Sequence, residues 1–279
     1  MVSFQLKTSD YLKKYGVTLK KSLGQNFLSN EVFAKKIVEL SEVDKNDTVL
    51  EIGAGAGTLT VALAETGATV YAIEIDERLK PILEERLLTF QNVHLIFSDF
   101  LALDLSFLPS GYKCVSNIPY YITAPILKRL IFTPFSALFI MMQKEVGERL
   151  LEKPGSSNRG FLTVVLQTVA NIEKILVVPK SAFVPNPEVD SVVLKITRKE
   201  PFPFVDSSQI ESFWRFVSDS FSQKRKTIYN NLKTITKDTK VLELIIQEAN
   251  IPSNARPEQL NEEQFLMLWK TWSKFTNEN

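Results

Sequence analysis

Asn117-Ile118-Pro119-Tyr120 places an amide, a main-chain carbonyl, a proline bend and a phenol ring within four residues. The exocyclic amine of a purine is a poor nucleophile because its lone pair is delocalised into the ring. If the Asn117 side-chain oxygen and the Ile118 carbonyl each accept one amine hydrogen, the nitrogen is drawn toward tetrahedral geometry. Its lone pair then aims at an electrophile. Pro119 fixes the direction of that carbonyl through its locked φ and missing N–H, and the Tyr120 ring offers a stacking face worth about 1–3 kcal/mol per base. A sulfonium methyl held in line would transfer through positioning and electrostatics, with no strong base. Alone, the tetrapeptide also suits an ordinary turn, so its surroundings decide.

Three further clusters point the same way. Gly53, Gly55 and Gly57 follow an apolar strand and precede a helix, where glycine lets the backbone turn sharply and approach a ligand. Their G-x-G-x-G spacing departs from the G-x-G-x-x-G of dinucleotide folds. Glu74 ends the next strand, where a carboxylate can accept both hydroxyls of a ribose, and Ile75 stands beside it as a further cofactor candidate. NAD and S-adenosylmethionine share that ribose, so Glu74 does not separate them. Asp99 follows the third strand, placed either to accept from an adenine amine or to cap the turn before Leu101.

These residues need strand ends to hold them. Short apolar runs at 48–52, 69–75, 93–97, 113–116 and 137–142 alternate with helical patterns such as 77–90, entered through Asp76 as N-cap. That alternation predicts an α/β fold with a mostly parallel sheet of about seven strands. The short connection between runs 174–178 and 191–196 favours an antiparallel final pair. Open α/β sheets bind ligands at the carboxyl ends of their strands, which brings all four clusters to one crevice. Beyond Lys195 the pattern changes. Glu200-Pro201-Phe202-Pro203-Phe204 reads as a linker, and Phe213, Trp214, Phe216, Val217, Phe221, Leu242, Leu244, Ile245, Ile246, Phe265, Leu266, Leu268 and Trp269 recur at helical spacing as core. The expected division is residues 1–199, an α/β domain with an N-terminal arm, and 200–279, a small all-α domain.

Lys+Arg 33 against Asp+Glu 32 leaves a net charge of +1, so bulk charge neither demands nor excludes a polyanion. The single Cys114 sits in an apolar run and reads as core in a reducing compartment; the single His94 has no Cys or His neighbours, so no metal site is expected. No run is long and apolar enough to span a membrane, and the first residues lack a signal-peptide pattern, so a cytoplasmic protein without membrane contact is expected.

Taken in order, Ser22-Leu23-Gly24-Gln25-Asn26-Phe27-Leu28, the glycine loop from Glu51 to Gly57, Glu74, Asp99, Asn117 to Tyr120, and Phe183-Val184-Pro185-Asn186-Pro187-Glu188-Val189-Asp190-Ser191 resemble the KsgA/RsmA family of ribosomal RNA adenine dimethyltransferases. The resemblance covers essentially the whole chain, and it implies that residues 1–199 form a Rossmann-like class I methyltransferase domain and that the helical residues 200–279 help dock RNA. It implies that Gln25, Asn26 and Leu28 close over S-adenosylmethionine, that Gly53 and Gly55 approach its methionine part, and that Glu74 and Asp99 hold its ribose and adenine. Asn117 would sit between cofactor and target, and Phe183 would stack on the target base opposite Tyr120. Ala54 where proline is common, Ser22-Leu23 in place of a more basic and aromatic pair, and Tyr121 where asparagine is common depart from the family pattern without removing a role.

Lys20, Lys21, Lys144, Lys224, Arg225 and Lys226 are the candidate RNA contacts, although charge runs are more often solvated faces. The resemblance implies two adjacent adenines near the 3′ end of small-subunit rRNA as target, two methyl groups on each, that rRNA within an assembling small ribosomal subunit as partner, and a monomeric enzyme. The rivals are an Erm-like large-subunit rRNA methyltransferase, a noncatalytic assembly or transcription factor, and an NAD-dependent oxidoreductase. The intact tetrapeptide disfavours the second, and the glycine spacing disfavours the third.

Overall fold

The computed structural model describes residues 6–19 and 25–277; Lys20, Lys21 and residues 22–24 lie outside these. The chain falls into two compact units, Met1–Gly147 with Glu173–Thr197, and Glu148–Ile172 with Arg198–Asn279. The boundary expected near residue 200 has a counterpart at 197/198. The grouping of 148–172 with the helical part was not expected.

The first unit opens with α1 (Thr8–Lys14), the short strand β1 (Phe27–Leu28) and α2 (Glu31–Ser41), whose N-cap Asn30 accepts from Val32 N at 3.0 Å. Strands β2 (Thr48–Ile52), β3 (Thr69–Glu74), β4 (Val93–Phe97), β5 (Lys113–Asn117) and β6 (Ala137–Gln143) follow, interleaved with α3 (Thr58–Ala64), α4 (Lys80–Leu87) and α5 (Thr123–Ile131). After α6 (Lys144–Leu150) and α7 (Phe161–Val169) come β7 (Ala170–Val178), β8 (Phe183–Val184) and β9 (Ser191–Arg198). The described residues form a seven-stranded sheet in the order β4-β3-β2-β5-β6-β9-β7. Five of these strands pair in parallel from β4 to β6, and β9 runs antiparallel to β6.

The near-continuous burial of β2 and β6 is what a strand covered on both faces requires. Cys114 and Val115 of β5 are likewise buried, so Cys114 is a core residue. The helix expected over 77–90 divides into a 3-10 turn, Glu77–Leu79, and α4. Pro81 is the reason, since it has no N–H to give to the Glu77 carbonyl. Asp76 caps that turn through its side chain, accepting from Arg78 N at 3.3 Å.

In strand order, the chain leaves β2 toward β3 and β4 on one side, then returns to β5 and β6 on the other. The order reverses between β2 and β5, and at such a switch point the loops diverge and leave a crevice.

The second unit packs aromatic rings: Phe204 lies 5.2 Å from Phe213 and 5.5 Å from Trp269, and Phe161 meets Trp214 edge-on at 5.5 Å. Phe204 is buried, so the stretch read as a linker contributes to this core. Helices α8 (Ser207–Ser220), α9 (Ile228–Leu232), α10 (Thr239–Glu248) and α11 (Glu262–Asn277) bury most of the apolar positions expected, but Leu244 is exposed. The buried Arg159 donates to the Leu260 carbonyl and pairs with Glu262, which ties the segment before α7 to the start of α11.

Candidate active site

One cleft at the carboxyl ends of β2, β3, β4 and β5 encloses about 770 Å³ of empty space, part of it open to solvent. Gln25, Asn26, Gly53, Gly55, Glu74, Ile75 and Asp99 line it, together with the whole tetrapeptide Asn117, Ile118, Pro119 and Tyr120. Leu28 lines a smaller adjoining cavity with Glu51, and Asn117 borders both.

The glycine loop is tied to the second strand. Gly55 has φ +57° and donates from its N–H to Glu74 Oε2 at 2.7 Å, while a Cβ at this position would lie 2.7 Å from the Phe27 ring. Only glycine fits that backbone and that approach. The other oxygen of Glu74 accepts from Ile75 N at 2.9 Å and Asp76 N at 2.8 Å. Burial pushes the Glu74 carboxyl up, and these three N–H groups oppose it. Its oxygens are thus already oriented by the backbone, with about one lone pair, on Oε2, left for a hydroxyl donor.

Asp76 is held differently. Arg78 grips it with Nε at 2.8 Å and Nη2 at 2.5 Å, and Gln25 adds Nε2 at 2.7 Å. The guanidinium lowers its carboxyl to about 2. Arg78 also donates to the Thr18 carbonyl at 3.0 Å, so one ion pair fastens both flanks of the N-terminal arm beside the cleft. The buried Arg86 supports the opposite side, donating to the Ala56 carbonyl at 2.9 Å with its guanidinium 5.1 Å from the Tyr11 ring.

Asn117 is the most informative group. Its Nδ2 donates to the Asn26 carbonyl at 3.3 Å, which settles which end of the amide is nitrogen. The other end, Oδ1, is buried with no hydrogen-bond partner. A native fold rarely leaves such an acceptor empty unless something else fills it. Asp99 Oδ1 accepts from Leu101 N at 2.9 Å, so it caps the turn as well as lining the cleft.

Phe183, expected to stack on the target base, is placed differently from the tetrapeptide. It is 0% exposed, within the core cluster, and it does not line the cleft. Pairing of β8 with β1 sets Phe183 opposite Leu28 and turns the ring inward. The aromatic side chains along the cleft near the tetrapeptide are Tyr120 and Tyr121, and Tyr121 is 55% exposed. The Tyr120 hydroxyl lies 2.8 Å from Ser191 Oγ.

Sequence reasoning missed Glu51, which reads as one more residue of a buried strand. It is 1% exposed, Oε2 has no partner, and burial pushes its carboxyl up to about 8, with the Glu74 charge adding to the effect. An acid interrupting an otherwise apolar strand next to the glycines was the available signal. Of the basic candidates, Lys144 is half-buried at the start of α6, while Lys224, Arg225 and Lys226 are exposed between α8 and α9 in the second unit. His94 stacks on Tyr71 with ring centres 4.9 Å apart.

A family model described as ribosomal RNA adenine dimethylase matches residues 16–274. The chain is 50% identical over 269 residues to the ribosomal RNA small subunit methyltransferase A of Thermotoga maritima, covering 96% of this chain and 91% of that protein. Identity to the protein of the same description from Bacillus cytotoxicus is 40% over 275 residues, covering 94% of each. Among solved structures, a dimethyladenosine transferase from Plasmodium falciparum superimposes with TM-score 0.74 at 29% identity, covering 89% of this chain and 98% of that one. The 23S rRNA methyltransferase ErmE gives 0.66 at 26% identity, covering 88% and 99%.

Proposed function

Because the chain belongs to the ribosomal RNA adenine dimethylase family, we propose that its cleft serves to transfer methyl groups from S-adenosylmethionine to two adjacent adenines near the 3′ end of small-subunit rRNA. Each exocyclic amine receives two. The observation that carries this reading is the unpartnered, buried Oδ1 of Asn117, an acceptor awaiting an N–H donor at the end of β5. Relatives at 40–50% identity described as small-subunit enzymes favour that target over the large-subunit one.

The residues present fit the cofactor. Glu51 leaves a buried oxygen beside the glycine loop, suited to a cationic amino group, and the loop itself excludes any Cβ at Gly55. Glu74 would hold the ribose hydroxyls, Ile75 and Asp99 would border the adenine, and Gln25, Asn26 and Leu28 would cover it from the arm. When bound, the cofactor supplies a methyl group on a positively charged sulphur.

The chain's own work is positioning. Asn117 Oδ1 and the Ile118 carbonyl draw the two amine hydrogens out of the purine plane, so that the nitrogen becomes pyramidal and its lone pair is directed away from the ring. Pro119, at φ −60° and ψ 130°, sets the carbonyl direction. The rings of Tyr120 and Tyr121 hold the base, and burial keeps the Tyr120 phenol neutral by pushing it up. No general base is required, because the amine loses its proton after methylation, when its acidity is high. Lys224, Arg225 and Lys226 would track phosphates of the RNA. The reading extends to an assembling small subunit as substrate and to a cytoplasmic monomer as the active form.

The test is transfer of tritiated methyl groups to undermethylated small ribosomal subunits, followed by nucleoside digestion. Label in dimethyladenosine is expected, and its absence would overturn the reading.

A further inference from the structure

We propose that Ser191 is a positioning residue for this reaction, its hydroxyl anchoring the Tyr120 phenol and so fixing the ring face presented to the target base. The inference rests on the adenine-dimethylation reading above. Ser191 is 0% exposed and begins β9, where it pairs with Gln143 of β6. Its Oγ lies 2.8 Å from the Tyr120 hydroxyl. The residue before it is pinned from two sides: Asp190 Oδ1 accepts from Lys180 N at 2.9 Å, and its carbonyl accepts from Lys144 N at 3.0 Å. Ser191 therefore cannot follow the phenol if the ring swings; the ring must follow the serine.

Tyr120 needs such an anchor. It stands at the first position of a 3-10 turn, Tyr120–Ile122, rather than within a regular helix, and one side of it faces the cleft. A ring there has two free torsions, and fixing its distal oxygen removes both. Loss of the partner would leave a partly buried hydroxyl unsatisfied as well as mobile. The two-proline segment 183–191 thus contributes to the site through its last residue, while Phe183 at its head packs in the core.

The test uses the full chain, tritiated S-adenosylmethionine and undermethylated small subunits, with S-adenosylhomocysteine affinity measured separately by calorimetry. Ser191→Ala is expected to lower kcat about tenfold, the scale of one hydrogen bond, with S-adenosylhomocysteine affinity unchanged. Tyr120→Phe removes the same bond from its other end and is expected to lose a similar factor. Since one bond is removed in each, the double variant should be no worse than about the weaker single variant. Ser191→Ala within twofold of the parent, losses that multiply in the double variant, or a parallel loss of S-adenosylhomocysteine affinity would each overturn the inference. A parent that forms no dimethyladenosine would overturn the functional reading itself, and this inference with it.

Discussion

Replacing Glu51 with Gln should change how stability depends on pH. Glu51 is buried at the end of β2, one oxygen has no partner, and its carboxyl is pushed from an ordinary 4.5 to about 8. The folded protein therefore holds a proton that the unfolded chain releases above pH 4.5. Stability from that proton is fully present below pH 4.5 and is lost as pH rises through about 8. The gap, at about 1.36 kcal/mol per pH unit, amounts to about 5 kcal/mol as an upper figure. Gln cannot ionise, so it escapes this loss, though its amide brings a buried donor that costs about 1–3 kcal/mol if unsatisfied. Urea unfolding at pH 5, 7 and 9 measures the difference. Glu51→Gln should be level with or below the parent at pH 5 and should gain on it steadily up to pH 9. A difference that stays constant across this range would refute the reasoning, since it would mean that Glu51 ionises as readily in the fold as outside it.

Gly55→Ala should cost about 1–2 kcal/mol for its left-handed backbone and about 1–3 kcal/mol for the clash with Phe27. Calorimetry should show at least a tenfold loss of S-adenosylhomocysteine affinity, or a lowered melting temperature if the loop does not yield. Arg78→Ala removes the group that holds Asp76 at about 2. That stability is present above pH 3.8 and lost as pH falls toward 2, so urea unfolding should separate parent and variant at pH 6 and bring them together near pH 2. Joint replacement of Lys224, Arg225 and Lys226 by Ala should flatten the dependence of log affinity for rRNA on log salt by about 2, with S-adenosylhomocysteine binding unchanged.

The central strands were legible because parallel strands buried on both faces leave largely apolar runs, and β2 begins and ends where its run does; β4, at the sheet edge and only partly buried, matches its run as well. Asp76 was legible as a cap because capping is local. What was hidden depends on distant partners. The direction of the Phe183 ring is set by pairing with Leu28, and no local signal in Phe-Val-Pro distinguishes an inward ring from an outward one. Phe204 follows two prolines that suggest a linker, but rings at 213 and 269 bury it. The grouping of 148–172 with the helical unit depends on Arg159 reaching Leu260 and Glu262. In the site, glycines and acids announced themselves by type. Ser191 did not, because a serine at the head of a strand gains its meaning only from the phenol it meets.

The most direct test is the single-turnover rate of Asn117→Ala with S-adenosylmethionine and undermethylated small subunits. The substitution removes the buried acceptor and its tether to the Asn26 carbonyl together. Loss of one preorganised polar group of this kind is worth on the order of 10²–10³ in rate, with cofactor affinity and fold retained. A variant that dimethylates as fast as the parent would contradict the account.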